Sequence, residues 1–153
     1  MILEDYFNEL VEKGLLRKEK IGVDQVKALL RSAGKNVVAS RKILEIDEEA
    51  SYLMAYNAML KMARAIVFLH HYRPDDGQQH KTTVAVAGKI LGSGFSELID
   101  RFDRMRKKRN QVVYESLLPI SQEESNKALK TAEEFYRRVK QFLEEIDQQR
   151  RLF

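Results

Sequence analysis

Apolar residues recur along most of the chain at spacings of three and four, the period that places them on one face of an α-helix. The pattern predicts helices over about residues 3–13, 24–46, 47–71, 79–91 and 95–115, and a last helix after Ser121. No segment alternates strictly enough to predict a strand. Because short connections between long helices favour antiparallel neighbours, we predict an all-α, up-and-down bundle of about five to six helices.

Polar residues and glycines mark several helix ends. Asp24 is expected to cap the second helix, since its side-chain oxygen can accept hydrogen bonds from unpaired amides. Ser121 and Glu124 have the spacing of a capping box at the start of the last helix. Pro74–Gly77 has the composition of a tight turn. Gly34 interrupts the second helix, where its missing side chain would let a neighbouring helix approach closely.

The length of 153 residues is that of one domain with a real core. We expect a single domain over residues 1–153, with a short N-terminal helix within residues 1–20 preceding the core bundle. The predicted helix 47–71 is apolar around most of its circumference, and only Asn57, Lys61 and Arg64 mark a polar side. A helix of this kind is typical of the centre of a bundle.

Composition excludes several classes of site. The chain has no cysteine, which removes disulfides, zinc–thiolate sites and cysteine nucleophiles. Its longest apolar runs are far shorter than the roughly 20 residues that cross a bilayer, so we expect a cytoplasmic protein without membrane association. Adjacent His70 and His71 would point roughly 100° apart on a helix and do not form a ligand pair. We therefore expect no metal site and no cofactor.

The charge is unevenly distributed although its net value is only +4. Residues 101–109 carry six cations and one acid, Asp103. On a helical wheel one face collects most of the apolar side chains, and Arg109 falls near its centre; these side chains are Phe95, Leu98, Phe102, Met105, Val112 and Val113. Three interpretations follow for Arg109. It pairs with an internal carboxylate, its stem packs while its guanidinium reaches water, or it lines a cleft for phosphate or RNA.

Two stretches resemble the HEPN superfamily, the "higher eukaryotes and prokaryotes nucleotide-binding" domains. Residues 55–65, followed by His71–Pro74, resemble the central helix of that family and the short turn after it, and His80 also fits. Residues 106–114 resemble the late-helix signature of arginine, a polar residue, a spacer and histidine or tyrosine. The resemblance extends over about residues 24–146.

The resemblance implies a helical bundle that is often dimeric, with the signature helix at the interface. Many members resemble RNase toxins that combine arginine and histidine from two subunits, and others pair with a small nucleotidyltransferase that acts as antitoxin. In this chain Arg109 and Asn110 match, but Tyr114 stands where histidine is expected. A tyrosine with a pKa near 10 is a poor general base at neutral pH. Ser116 occupies the position of a modifiable tyrosine in toxin members.

We therefore predict a non-catalytic HEPN-type module that binds nucleotide or RNA or pairs with a nucleotidyltransferase, within a toxin–antitoxin-like two-component system. The predicted ligand-binding residues are Arg106, Arg109, Asn110, Tyr114 and His80, and a homodimer is expected through helix 95–115. One alternative is an active, metal-independent endoribonuclease toxin, in which Arg109 and Tyr114 are the catalytic candidates. A second is a purely structural adaptor.

Overall fold

The computed structural model describes residues 2–75, 79–115 and 119–150. Within these residues the chain forms six α-helices: α1 Leu3–Glu12, α2 Val23–Ile43, α3 Glu48–Leu69, α4 Gln79–Leu91, α5 Ser96–Glu115 and α6 Gln122–Arg150. A 3-10 turn, Ser93–Phe95, leads into α5. The predicted all-α bundle is confirmed. In this described part of the chain, no helix combines the length and apolar character needed to span a bilayer.

Helix α3 lies at the centre of the bundle, as its nearly uniform apolar character predicts. It packs against α2, α4, α5 and α6. Its first turn is capped by Asp47, whose side chain accepts a hydrogen bond from the Ala50 amide at 3.0 Å. On its narrow polar side Lys61 donates to Ser32 Oγ at 2.7 Å and to Asn36 Oδ1 at 2.6 Å, both on α2.

Four aromatic rings in contact with one another connect α3, α5, α6 and the turn Ser93–Phe95. The Phe102 ring of α5 lies between Tyr56 of α3 and Phe135 of α6, with ring centroids 5.7 Å apart on each side. Phe135 in turn meets Phe95 edge-on at 6.5 Å. All four rings are buried. These contacts fix the position of α5 against α3 and α6. They therefore also fix the position of the cationic residues 101–109, which lie on α5.

The structure contains a short antiparallel pair of strands that the sequence does not predict. β1 (Leu16–Lys18) pairs with β2 (Tyr72–Pro74), with Arg17 opposite Arg73. Strands of three residues are too short to show a period of two, and their pairing joins segments more than fifty residues apart. The pair fastens the N-terminal segment to the core, where Phe7 of α1 stacks on Tyr72 with ring centroids 4.6 Å apart.

Several predicted helix ends need correction. The N-cap of α2 is Gly22, which offers no side-chain acceptor, and the expected cap Asp24 lies in the first turn. The same helix ends at Ile43, not at residue 46. Val113, which the wheel places inward, is 41% exposed because the apolar face of α5 narrows towards its end. Of the predicted turn Pro74–Gly77, Pro74 belongs to β2, and Asp76 and Gly77 lie outside the described residues, as does Ser116.

Two other sequence predictions are confirmed. The Glu124 amide donates to Ser121 Oγ at 3.0 Å and the Ser121 amide to Glu124 Oε1 at 3.5 Å, which is the reciprocal pattern of a capping box. Gly34 does permit a close approach. A Cβ atom there would stand 2.8 Å from the hydroxyl of Tyr136 on α6, so the approaching group is a side chain.

Candidate functional site

A buried tyrosine and a half-buried histidine form the centre of the candidate site. Tyr56 of α3 is fully buried, and its hydroxyl lies 3.1 Å from Nδ1 of His80, the second residue of α4. The hydroxyl has no other hydrogen-bond partner among the described residues, so it satisfies its proton only by donating to Nδ1. We therefore assign Nδ1 as the acceptor nitrogen and place the proton of neutral His80 on Nε2.

Two arginines of α5 stand beside this pair. The guanidinium carbon of Arg109 lies 6.0 Å from the centre of the Tyr56 ring, and its Nη1 donates to Asn110 Oδ1 at 3.3 Å. The side chain of Arg106 is only 12% exposed and its Nε donates to Asp103 Oδ1 at 2.9 Å. None of the ion pairs between described residues includes Arg109, so an internal carboxylate partner for Arg109 finds no support in that part of the chain.

The charges around His80 keep it neutral at pH 7. Burial lowers the pKa of His80 below its usual range, and the positive charges of Arg109, Arg64 and Arg106 lower it further. Burial also raises the pKa of Tyr56 to about 12, although the same arginines act in the opposite direction. Both members of the central pair are therefore uncharged, while the arginines around them are cations.

One carboxylate offsets part of this charge. Burial opposes ionisation of Asp103, but the hydrogen bond and charge of Arg106, together with Lys107, hold the pKa of Asp103 below its usual range. Asp103 is thus ionised at neutral pH and compensates Arg106 and Lys107, which lies 3.5 Å from its Oδ2. Arg109 keeps an uncompensated charge beside Tyr56, as judged from the described residues.

The structure brings some of the predicted ligand-binding residues together. His80, Arg106 and Arg109 surround Tyr56, and Asn110 contacts Arg109. Tyr114 lies five residues beyond Arg109, roughly 140° around α5, and its side chain is 76% exposed. Its predicted part in ligand binding stays a prediction.

Sequence reasoning missed two residues of this site. It placed Tyr56 in the core without its hydrogen bond to His80, and it treated Arg64 only as part of the polar side of α3. The available signal was weak: one arginine two turns after a tyrosine, on the narrow polar side of a mostly apolar helix. Contact with a histidine 24 residues away cannot be read from helical spacing.

The lowered pKa of His80 gives a testable dependence of stability on pH. As pH falls below about 6.5 the unfolded chain binds the histidine proton before the folded protein does, so the free energy of unfolding decreases. His80→Asn, which keeps an acceptor near the position of Nδ1, should lose less stability than wild type between pH 7.5 and 5.5 in urea unfolding. Between pH 7.5 and 8.5 the two proteins should change alike. Equal losses on the acidic side would contradict the lowered pKa.

Comparison with known protein families connects this geometry to one of them. The family model described as HEPN domain matches residues 26–142, a span that contains the whole Tyr56, His80 and Arg109 arrangement. A search of curated proteins gives no match. The family match covers well over half of the chain and confirms the resemblance that the two stretches suggest. The chain therefore belongs to the HEPN domain family, a family of nucleotide- and RNA-binding modules of which many are related to RNases.

Proposed function

We propose that this protein is a non-catalytic RNA-binding module that holds a phosphate of the RNA backbone at the His80 cluster, defined as Tyr56, His80, Arg106 and Arg109. The observation that supports this assignment most strongly is that all the groups able to reach a ligand are hydrogen-bond donors. His80 offers Nε2–H, and the two guanidinium groups offer only donors. Phosphate oxygens only accept hydrogen bonds, and arginine matches their geometry.

Accessibility supports the same assignment. Arg109 and His80 are both half-buried, so an anion can reach them while the surrounding protein still excludes part of the water. A charge-assisted hydrogen bond in such surroundings contributes about 1.5–3 kcal/mol, more than a solvated surface pair. The exposed cations of α5, such as Arg104 and Lys107, lie in water and are expected to add only nonspecific attraction.

The cluster lacks a group that could accept a proton from a ribose hydroxyl. Cleavage of RNA without a metal requires a base at the 2′-hydroxyl. In the assigned tautomer the basic nitrogen of His80, Nδ1, is occupied by Tyr56, and Tyr56 itself is fully buried, with a pKa of about 12 that keeps it protonated at neutral pH. Binding without cleavage is the function that this arrangement supports, in preference to the endoribonuclease alternative.

The end of α5 supports a protein partner next to the cluster. Val113 and Tyr114 expose apolar and aromatic surface there, at 41% and 76%. We propose that this surface is the interface of a homodimer through helix 95–115. The alternative partner at the same surface is a small nucleotidyltransferase of a cytoplasmic two-component system. The mass in solution from light scattering distinguishes them: a dimer supports the first, and a monomer that gains mass only with the nucleotidyltransferase supports the second.

The proposal is tested by titrating a fluorescein-labelled 12-nucleotide RNA with the purified protein and following anisotropy. Arg109→Gln should weaken binding about tenfold or more, because one charge-assisted contact is lost. Arg104→Gln is the matched control: the same residue type on the same helix, exposed, and without an ion pair among the described residues. The RNA should remain intact. Equal affinities of the two variants, or cleavage that Arg109→Gln abolishes, would overturn the proposal.

A further inference from the structure

A basic pocket lies beside the His80 cluster and belongs to no assigned site. It has a volume of about 410 Å³ and is bounded by α2, which contributes Leu29, by α3, by β2 and by the start of α4. Arg64 and Phe68 line it from α3, Arg73 from β2, and Gln79 and Thr83 from α4. Of the seven residues that line the pocket, two are cations and none is an acid.

Arg73 is held in place by its neighbours. Its Nε donates to the carboxylate of Glu19, and its guanidinium carbon lies 4.5 Å above the centre of the Phe68 ring. Glu19 also lies 3.5 Å from Arg17, which in turn lies 3.6 Å from Asp75. Of the two described acids at this edge, Glu19 is therefore shared between Arg17 and Arg73, and Asp75 is paired with Arg17. Neither is paired with Arg64.

Arg64 is the unusual residue of the pocket. Its side chain is half-buried, yet none of the hydrogen bonds or ion pairs between described residues includes it. Burial lowers the pKa of Arg64, and the positive charge of Arg73 lowers it further. Removing a cation from water beside a second cation is unfavourable unless an anion compensates it. An anion bound between the two cations would therefore offset part of this cost.

The start of α4 adds to the attraction for an anion. Gln79 is the first residue of α4, a helix of 13 residues, and the first amides of a helix lack acceptors within the helix. The positive end of the helix dipole therefore lies at the pocket wall. The Thr83 hydroxyl adds no donor for an anion, because its proton is already donated to the Gln79 carbonyl oxygen at 2.7 Å.

We propose that the Arg64 pocket, formed by Arg64, Arg73 and Gln79, is a second phosphate-binding site. Gln79 immediately precedes His80 in α4, and the charge of Arg64 acts on His80 as well, so the two sites are neighbours. A ligand with two phosphates can occupy both. Such a pair of phosphates occurs in consecutive linkages of an RNA strand and in the polyphosphate of a free nucleotide. Only the choice between these sources rests on the proposed function; the phosphate site itself does not.

The first experiment measures stability with inorganic phosphate as the probe. In an Arg109→Gln background, which weakens the His80 cluster, 50 mM phosphate should raise the melting temperature by about 3 °C relative to chloride of equal ionic strength. Adding Arg64→Met, which keeps the aliphatic stem, should abolish this rise without lowering the melting temperature in chloride. Arg137→Met on α6 is the control and should leave the rise unchanged. A rise that persists in Arg64→Met overturns the proposal.

The second experiment identifies the source of the phosphate. Arg64→Met in the otherwise wild-type chain is titrated with ATP and with a trinucleotide RNA. A loss of about tenfold or more for the RNA alone assigns the pocket to the RNA backbone, and the same loss for ATP alone assigns it to a free nucleotide. If the wild type binds both ligands and Arg64→Met changes neither affinity, the pocket holds no phosphate of RNA or of a nucleotide, and the inference is overturned. If neither ligand binds the wild type but phosphate still stabilises it through Arg64, the proposed function fails and this inference stands.

Discussion

Phe102→Ala should lower the free energy of unfolding by about 3–5 kcal/mol, a large part of the total stability of a domain of this size. Phe102 is fully buried and its ring contacts both Tyr56 and Phe135. Removing the ring takes its apolar surface out of the core and leaves a cavity between three helices. The cavity cannot close easily, because α3 is fixed by contacts on its other sides with α2 and α4.

The measurement is urea unfolding followed by circular dichroism, with the free energy obtained from the midpoint and slope. Phe142→Ala is the matched control, since Phe142 lies on α6, contacts Phe95 edge-on at 6.1 Å, and is only half-buried. Phe142→Ala should lower the free energy of unfolding clearly less than Phe102→Ala does. A loss below about 2 kcal/mol for Phe102→Ala would contradict a rigid junction of α3, α5 and α6. The position of Tyr56, and through it that of His80, depends on this junction.

The helices could be predicted because their signal is local and long. α4 occupies the predicted range, residues 79–91, and α3 differs from its prediction by one or two residues at each end. The N-terminus of α2 was less predictable, because its N-cap residue Gly22 has no side chain and so gives no capping signal in the sequence. β1 and β2 were not predictable at all, since three residues show no period and their pairing depends on how the rest of the chain folds.

The same distinction between local and long-range signals explains which residues of the site could be predicted from the sequence. Arg106 and Arg109 could be found because charge on an apolar helical face is visible within one helix. Tyr56 could not be connected to His80, because their hydrogen bond joins two helices across a turn. Arg64 was missed for a related reason: the second cation of its pocket, Arg73, lies on an unpredicted strand. Residues that act through partners on other elements therefore need the structure.

The double variant Arg106→Gln/Arg109→Gln should weaken RNA binding about 100-fold or more at low salt. Each arginine contributes a charge-assisted contact of about 1.5–3 kcal/mol. The Nε of Arg106 is bonded to Asp103, but its Nη donors have no hydrogen-bond partner among the described residues. The salt dependence should change as well. Each phosphate contact on a single strand contributes about 0.7 to the slope of log affinity against log salt, so the slope should fall by about 1.4.

The control must remove the same charge from a place outside the cluster. Arg104→Gln/Lys130→Gln does so, because both residues are exposed on α5 and α6 and neither is ion-paired within the described part of the chain. General attraction between a basic surface and RNA would make the two double variants lose affinity equally at every salt concentration. A site at the His80 cluster would instead leave a difference that decreases but remains at high salt, because half-buried charges are screened much less than exposed ones. That remaining difference, measured by anisotropy between 50 and 300 mM salt, separates phosphate recognition at Arg106 and Arg109 from the net charge of the protein.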